Sequence, residues 1–560
     1  MKKRVCAVFT AVLLGVTALP SSAFAAESYQ EAEKAAFSEI VTDFVSSYAD
    51  SLNNYEASLA GSYGDFTITL GDAGRGLLGM MLPVDISWLD NLKLSTDVSI
   101  KDGQMGEVLN VSLNGTDICS VELYSDFKTG DVLTRIPELS ESYLKASMQD
   151  MVQDTLTEED VSASISADDL MNYMNLYENI LEYLPSADAL ENLLDTYGTI
   201  LIEGMTEGET GSETLAVSEI SQECTTFEGV LNNADATATL ETILSQARED
   251  ENIREILTGL EGIGTGTEDL YQQFQDGVDS LSADLAESVE DDGSALVSKI
   301  WVDDTDKIVG RQLSLLTADG ASDPLFTYQT PSNGDERGFL MELGSEESTI
   351  SLTGSGTVNN GIMDGSYSFL IDSQPTLSIE LSDYDTETAA EGKINGVYTI
   401  SFLPSAIADA SAAEGASSDI VSSSVLAGFS LAVTLSSGET DFSATADILS
   451  AGESLLSLSF SADQGEGTEI PDFTAISENA YDTLSQEDSA AYAEEVSLDT
   501  ILSNLMDAGM PETFIEDLIT AFTYTEEDSS TYEDEYSSDY AEEELEEYDT
   551  YDDSSSIEES

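Results

Sequence analysis

Tyr367-Ser-Phe-Leu-Ile371 and, after a short gap, Leu377-Ser-Ile-Glu-Leu381 set large apolar residues at every second position. A period of two is the pattern of a strand with one dry face. Phe429-Ser-Leu-Ala-Val-Thr-Leu435 and Leu456-Ser-Leu-Ser-Phe460 repeat it. The residues between (Ser366, Ser368, Ser378, Glu380, Ser430, Ala432, Thr434, Ser457, Ser459) are small and mostly hydroxylic, so the second face tolerates water. That combination specifies an antiparallel sheet. The gaps hold turn residues at Asp319-Gly320, Asn333-Gly334, Asn359-Asn-Gly361, Asp364-Gly365 and Asn395-Gly396, which join neighbouring strands as hairpins.

An earlier strand set carries the same signal: Phe66, Ile68, Leu70; Leu92, Leu94, Val98, Ile100; Leu109, Val111, Leu113; Cys119, Val121, Leu123. Asp102-Gly103 and Asn114-Gly115 turn it back on itself. Ahead of it, Tyr29, Ala32, Ala36, Phe37, Ile40, Val41, Phe44 and Tyr48 recur at three- and four-residue steps, which predicts an amphipathic helix over 28–48. Pro137 closes the meander, and 138–151 reads as helical. Between the strand sets lie a helical stretch over 168–202 broken at Pro185, a strand around Cys224–Leu231, and helices over 236–257 and 267–288. A helical hairpin spans 498–519, with Gly509 and Pro511 at its turn.

The expected fold class is therefore α+β: large antiparallel meanders with one face covered by helices. The organisation divides as residues 1–25, a leader; 26–290, first helix, meander and helical layer; 291–524, the main sheet with its closing hairpin; and 525–560, an acidic tail. That tail is Asp, Glu, Ser and Tyr with scarcely an aliphatic residue, a composition expected to stay disordered.

The leader combines Lys2-Lys-Arg4, an apolar run over 5–19, Pro20 and small residues at Ala23-Phe-Ala25. This is the form of a secretory signal peptide cut after Ala25, and the expected location is extracellular. No other run reaches membrane-spanning length. Lys2, Lys3 and Arg4 are three of only 17 basic residues, so the chain from Ala26 keeps 14 against 111 acidic, a formal −97. Such a surface repels nucleic acid and anionic lipid and attracts cations.

There is no His, which removes Ser-His and Cys-His pairs, imidazole zinc sites and the commonest general base. No Gly-rich phosphate loop is present. Asp303, Asp304 and Asp306 in one turn are a calcium candidate, the one cofactor considered, although the positions where a calcium loop carries Gly and Glu hold Ile308 and Ser314. Cys119 and Cys224, exported on two strands, form a candidate disulfide, with a buried thiol as the alternative for Cys119. Leu170, Met171, Tyr173, Met174, Tyr177 and Leu181 belong to a helix so broadly apolar that it is either enclosed or lines a groove for an apolar ligand.

The first helix, the long meanders and the hairpin Lys299-Ile-Trp-Val-Asp-Asp-Thr-Asp-Lys-Ile-Val-Gly-Arg311 resemble bacterial lipoprotein-carrier proteins. That resemblance implies an open β half-barrel holding acyl chains under covering helices. The chain is also similar to acidic proteins exported by Gram-positive gut bacteria. The functional expectation is an exported, non-catalytic protein that binds an extracellular or cell-surface partner. Two alternatives stay open: a carrier of an apolar ligand in a half-barrel groove, and a carboxylate-dependent hydrolase.

Overall fold

A computed structural model describes residues 21–22, 26–81, 85–147, 183–263, 269–287, 293–345, 348–403, 428–465 and 467–523. The leader other than Ser21 and Ser22, the apolar helix with Leu170, Met171, Tyr173, Met174, Tyr177 and Leu181, and the tail from Thr525 lie outside them.

In chain order the elements begin β1 (Ser21–Ser22), α1 (Tyr29–Ala60), β2 (Ser62–Leu70), α2 (Asp72–Met81), β3 (Asn91–Lys101), β4 (Gln104–Leu113), β5 (Thr116–Asp126), β6 (Asp131–Arg135) and β7 (Leu144–Ser147). There follow α3 (Ala187–Glu203), β8 (Thr206–Val217), β9 (Ile220–Asn232), α4 (Asn233–Arg248), α5 (Glu251–Ile263) and α6 (Leu270–Glu287). The main array is β10 (Ala295–Val302), β11 (Lys307–Leu316), β12 (Ser322–Gln329), β13 (Ser332–Asn333), β14 (Glu336–Ser345), β15 (Ser348–Asn359), β16 (Ile362–Ile371), β17 (Gln374–Asp385), α7 (Thr386–Ala390), β18 (Gly396–Phe402), β19 (Phe429–Ser437), β20 (Asp441–Ser450) and β21 (Glu453–Gln464). The chain closes with α8 (Phe473–Ser477), β22 (Tyr481–Asp482), α9 (Gln486–Glu495), α10 (Asp499–Asp507) and α11 (Glu512–Thr523).

The pairings join both strand sets into one sheet. Its order is β8-β9-β10-β11-β12-β14-β15-β16-β17-β18-β19-β20-β21-β2-β3-β4-β5-β6-β7-β22, antiparallel at every step except β7 with β22. Most steps are hairpins between consecutive strands, as the turn residues require. The step that closes the two strand sets on each other is β2 against β21, where Phe66 faces Phe460 and Ile68 faces Leu458; β7 with β22 is a second long-range pairing at the sheet's end.

Helix α1 crosses one face of this sheet. Ser28 caps it by accepting from Glu31 N, and the Glu207 carboxylate of β8 accepts from Tyr29 N (2.9 Å) and Gln30 N (3.0 Å), so an anion meets the unsatisfied amides at the helix start. Tyr29, Ala32 and Ala36 are buried against Phe227, Leu296, Ile300, Leu313, Phe326 and Tyr328 of β9–β12. The Tyr29 ring covers Gly229, whose missing side chain makes the room: a Cβ there would stand 2.4 Å from the ring. Beneath lies a buried ion pair, Arg311 to Glu33, with Arg311 Nε left without a partner. Burial, then the Glu33 charge, pushes the Tyr29 phenol well above its ordinary value.

The last turns of α1 meet the far part of the sheet, where Gln464 Nε2 of β21 donates to Asn54 O (3.1 Å). From Glu33 to Asn54 the helix spans about 32 Å at 1.5 Å per residue. From β11 to β21 the sheet takes nine strand steps, about 43 Å if flat. The sheet must therefore bow away from the helix, and α1 stands as a chord across its arc.

Five elements depart from the sequence reading. Residues 144–147 are not helical but form strand β7 on β6, because edge pairing is available to so short an apolar segment. The helix expected over 236–257 is two, since Asp250 interrupts it: its carboxylate accepts from Asn252 N (2.8 Å) at the start of α5 and from Tyr197 Oη (2.9 Å). The first helix runs on to Ala60 through a stretch with little apolar periodicity. Strand β8 and helix α2 were not expected at all: β8 is rich in Gly, Thr and Glu, and α2 carries three glycines, its start seated where Gly71, just before it, and Gly74, in its first turn, let the backbone close on Ser454 and Leu455.

Candidate functional site

Directly opposed residues in an antiparallel pair share a face, so the register traces that face from strand to strand. One row begins beneath α1 and runs Phe227, Ile300, Arg311, Tyr328, Met341, Leu352, Phe369, Leu377, Phe402. Along it burial falls steadily. The first four are buried, the next four half-buried, and Phe402 is 47% exposed.

A second row is Tyr367, Ile379, Ile400, Leu431, Ile448, Leu456, Leu70. A third is Leu435, Ala444, Phe460, Phe66, Leu94, Val111, Cys119. Gly354 interrupts the aromatic side, and Phe339 and Tyr367 close over it with centroids 6.1 Å apart. A side chain at Gly354 would sit 2.2 Å from Ser366 O.

The same face is covered again at the far end. Ile501, Leu505 and Ala508, on and just after α10, pack on Leu92, Leu113, Ile118 and Cys119. Between the two covered ends, no helix of the described residues packs broadly over β15–β20. Ile350, Ile371, Phe402, Leu431 and Phe442 are exposed there, as are Leu343, Phe460 and Phe66 on the flanking strands β14, β21 and β2. The result is an apolar trough, floored by the bowed sheet and crossed by α1. The middle of α1, Thr42 to Tyr55, is mostly exposed, Phe44 included.

The opposite face carries the expected hydroxyls. Ser355, Ser366, Glu380, Thr399, Ala432, Asp447, Ser457 and Thr69 form one cross-strand row, with Ser366 Oγ donating to Glu380 (2.8 Å).

The other candidate residues fall elsewhere. Cys119 and Cys224 are free thiols on β5 and β9, fifteen strand steps apart, whereas a disulfide needs Cα atoms within about 7 Å. The expected pairing is therefore not formed. Cys224 packs with Leu215, Trp301 and Val309; burial, then the nearby Asp303, Glu223 and Asp304 charges, pushes its thiol up to about 11. Burial, then Glu138, also raises Cys119. Asp303 Oδ1 accepts from Thr305 N, Thr305 Oγ1 and Lys307 N, all at 2.8–2.9 Å, so that carboxylate closes its own hairpin turn. Among the described residues no three acidic or Cys side chains gather to hold a metal. The buried carboxylates among them are Glu33 and Asp250, one facing Arg311 and the other capping a helix.

Phe402, Phe442, Leu343 and Ile350 were missed as site residues in the sequence. Phe402 continues the alternation Tyr398, Ile400, Phe402, which was the available signal. In Phe442-Ser-Ala-Thr-Ala446 the alanines blur it. Among the described residues no helix is long and apolar enough to cross a membrane. No protein-family model matches the chain, and no curated protein matches it.

Proposed function

We propose that this is an exported, non-catalytic binding protein whose ligand is apolar and lies in the trough between α1 and β15–β20. The observation that carries this reading is the row from Phe227 to Phe402, apolar at every position but that of the ion-paired Arg311; the row is core at one end and exposed at the other. Exposed apolar patches of this extent mark interaction or ligand surfaces. An open sheet with helices over its ends is also the architecture that the carrier resemblance implies. Among the described residues the two buried carboxylates are engaged, Glu33 by Arg311 and Asp250 by Tyr197 Oη and Asn252 N.

The test is fluorescence of a neutral apolar naphthylamine dye with the purified protein. Bright, saturable emission is expected, and it should be lost in the double variant Ile371→Asp, Phe402→Asp, whose positions are exposed enough to accept a charge. Undiminished binding in that variant, with folding confirmed by circular dichroism, overturns the assignment.

A further inference from the structure

We propose that the partner seated in the trough is a cationic amphipathic helix, a peptide segment with Lys or Arg along one side and large apolar residues along the other. This rests on the apolar-binding reading above and adds the charge of the occupant. One end of the strands β15–β21 carries exposed acids: Glu387 and Glu439 in the connections, Asp383 near the end of β17, and Asp364, Asp441 and Asp463 at strand ends on the hydroxyl face. From residue 312 to the C-terminus the chain has two basic residues, Arg337 and Lys393. Both are engaged: Arg337 Nη1 donates to Gly334 O (2.6 Å) and Glu336 O (2.9 Å), and Lys393 pairs with Glu391 (3.1 Å).

At this same acidic end the apolar face shows three exposed phenylalanines. Phe460 opposes Phe66, and the Phe442 and Phe460 rings are 6.3 Å apart. Asp441 and Asp463 stand directly opposite one another one position along from Phe442, on the hydroxyl face, so their charge lies behind the apolar rim, and the acids of the connecting turns, Glu387 and Glu439, are the ones that edge it. Apolar surface edged by uncompensated acid is complementary to the two sides of a basic amphipathic helix, laid apolar face down as in other helix-in-groove complexes. A second copy of this chain, at a formal charge of −94, brings the wrong sign, and so does an anionic amphiphile.

The experiment titrates the full chain with a fluorescent Leu/Lys amphipathic peptide of about eighteen residues, five helical turns. Its controls are the same peptide with Glu for Lys, a scrambled Leu/Lys peptide of equal charge, and the neutral dye. The amphipathic Lys peptide should bind at least about tenfold more tightly than either control peptide, displace the dye, and weaken in salt, which screens within about 10 Å at 0.1 M. The variant Phe442→Ser, Phe460→Ser should lose most of that preference while keeping its fold, since both rings are already exposed. Equal binding of the scrambled peptide, or an unaffected Phe442→Ser, Phe460→Ser variant, reduces the effect to bulk charge and overturns the proposal. Dye binding without peptide binding overturns it while leaving the apolar-binding reading intact. Failure of both removes the two together, as does sedimentation showing that a second copy already occupies the face.

Discussion

The strands β10–β12 and the strands β16–β18 lie on one sheet and share one apolar row, yet they differ in what stands opposite them. Ile300 is 0% exposed beneath α1, while Ile371 on the same face is 43% exposed. The helix side explains the difference: Tyr29, Ala32 and Ala36 bring small residues and one ring into close approach with β9–β12, and by the next turns α1 has left the bowed sheet. Amphipathic alternation thus measures which face is apolar; it does not measure whether that face is covered.

If the covered end is the stable end, the largest effect falls on its ion pair. Either Arg311→Met or Glu33→Gln alone should cost about 3–5 kcal/mol in urea unfolding, because each leaves the other partner buried without its countercharge. The double variant Glu33→Met, Arg311→Met should recover most of it. Single variants costing under about 1 kcal/mol would mean that water reaches the pair and that the end is open too.

The direct comparison comes next. Ile300→Ala should cost about 2–5 kcal/mol, and Ile371→Ala about 0.5 kcal/mol or less, as exposed positions do. Equal losses in the same unfolding assay would show the middle of the face to be covered in solution.

A smaller effect separates the ends by pH. Because Cys224 is held at about 11 against an ordinary 9.0, the folded state keeps the proton that the unfolded chain releases. Its contribution is complete below pH 9 and is lost as pH rises through 11. The thermal midpoint should fall across that window, and less steeply in Cys224→Ala. An identical slope in the variant would place the alkaline loss elsewhere. The smallest effect is that of reductant: with Cys119 and Cys224 apart, thiol titration in denaturant should find both free, and dithiothreitol should leave the midpoint unchanged. Titration of no free thiols would contradict the strand order itself.

How much of this was legible follows from what each signal encodes. Strands such as β16, β17, β19 and β21, and their turns at Gly361 and Gly396, are local, because period two and left-handed turn residues act within a few positions. Strand β8 was not, since Gly208, Gly211 and its glutamates give no alternation and the strand exists because β9 offers an edge. Those glutamates also make an exposed edge unattractive to other chains. The trough was legible only as an apolar face. Its openness depends on the 32-residue length of α1 against nine strand steps, a comparison between segments more than 250 residues apart, and on where α1 touches down. The disulfide reading failed for the same reason: export and strand location say nothing of distance across a sheet.

The pairing of β2 with β21 also sets an order of events. Nearly every other ladder joins strands adjacent in the chain, so hairpins can zip as soon as they emerge, at low entropic cost. Residues 62–70, by contrast, must wait for 456–464, and the far anchorage of α1 through Asn54 and Gln464 waits with them. An N-terminal helix and strand that leave the ribosome first are thus among the last to be seated, and until then two half-sheets expose raw seams. That delay leaves the seam between the half-sheets open, and the sheet unclosed, until almost the whole of the chain has been made.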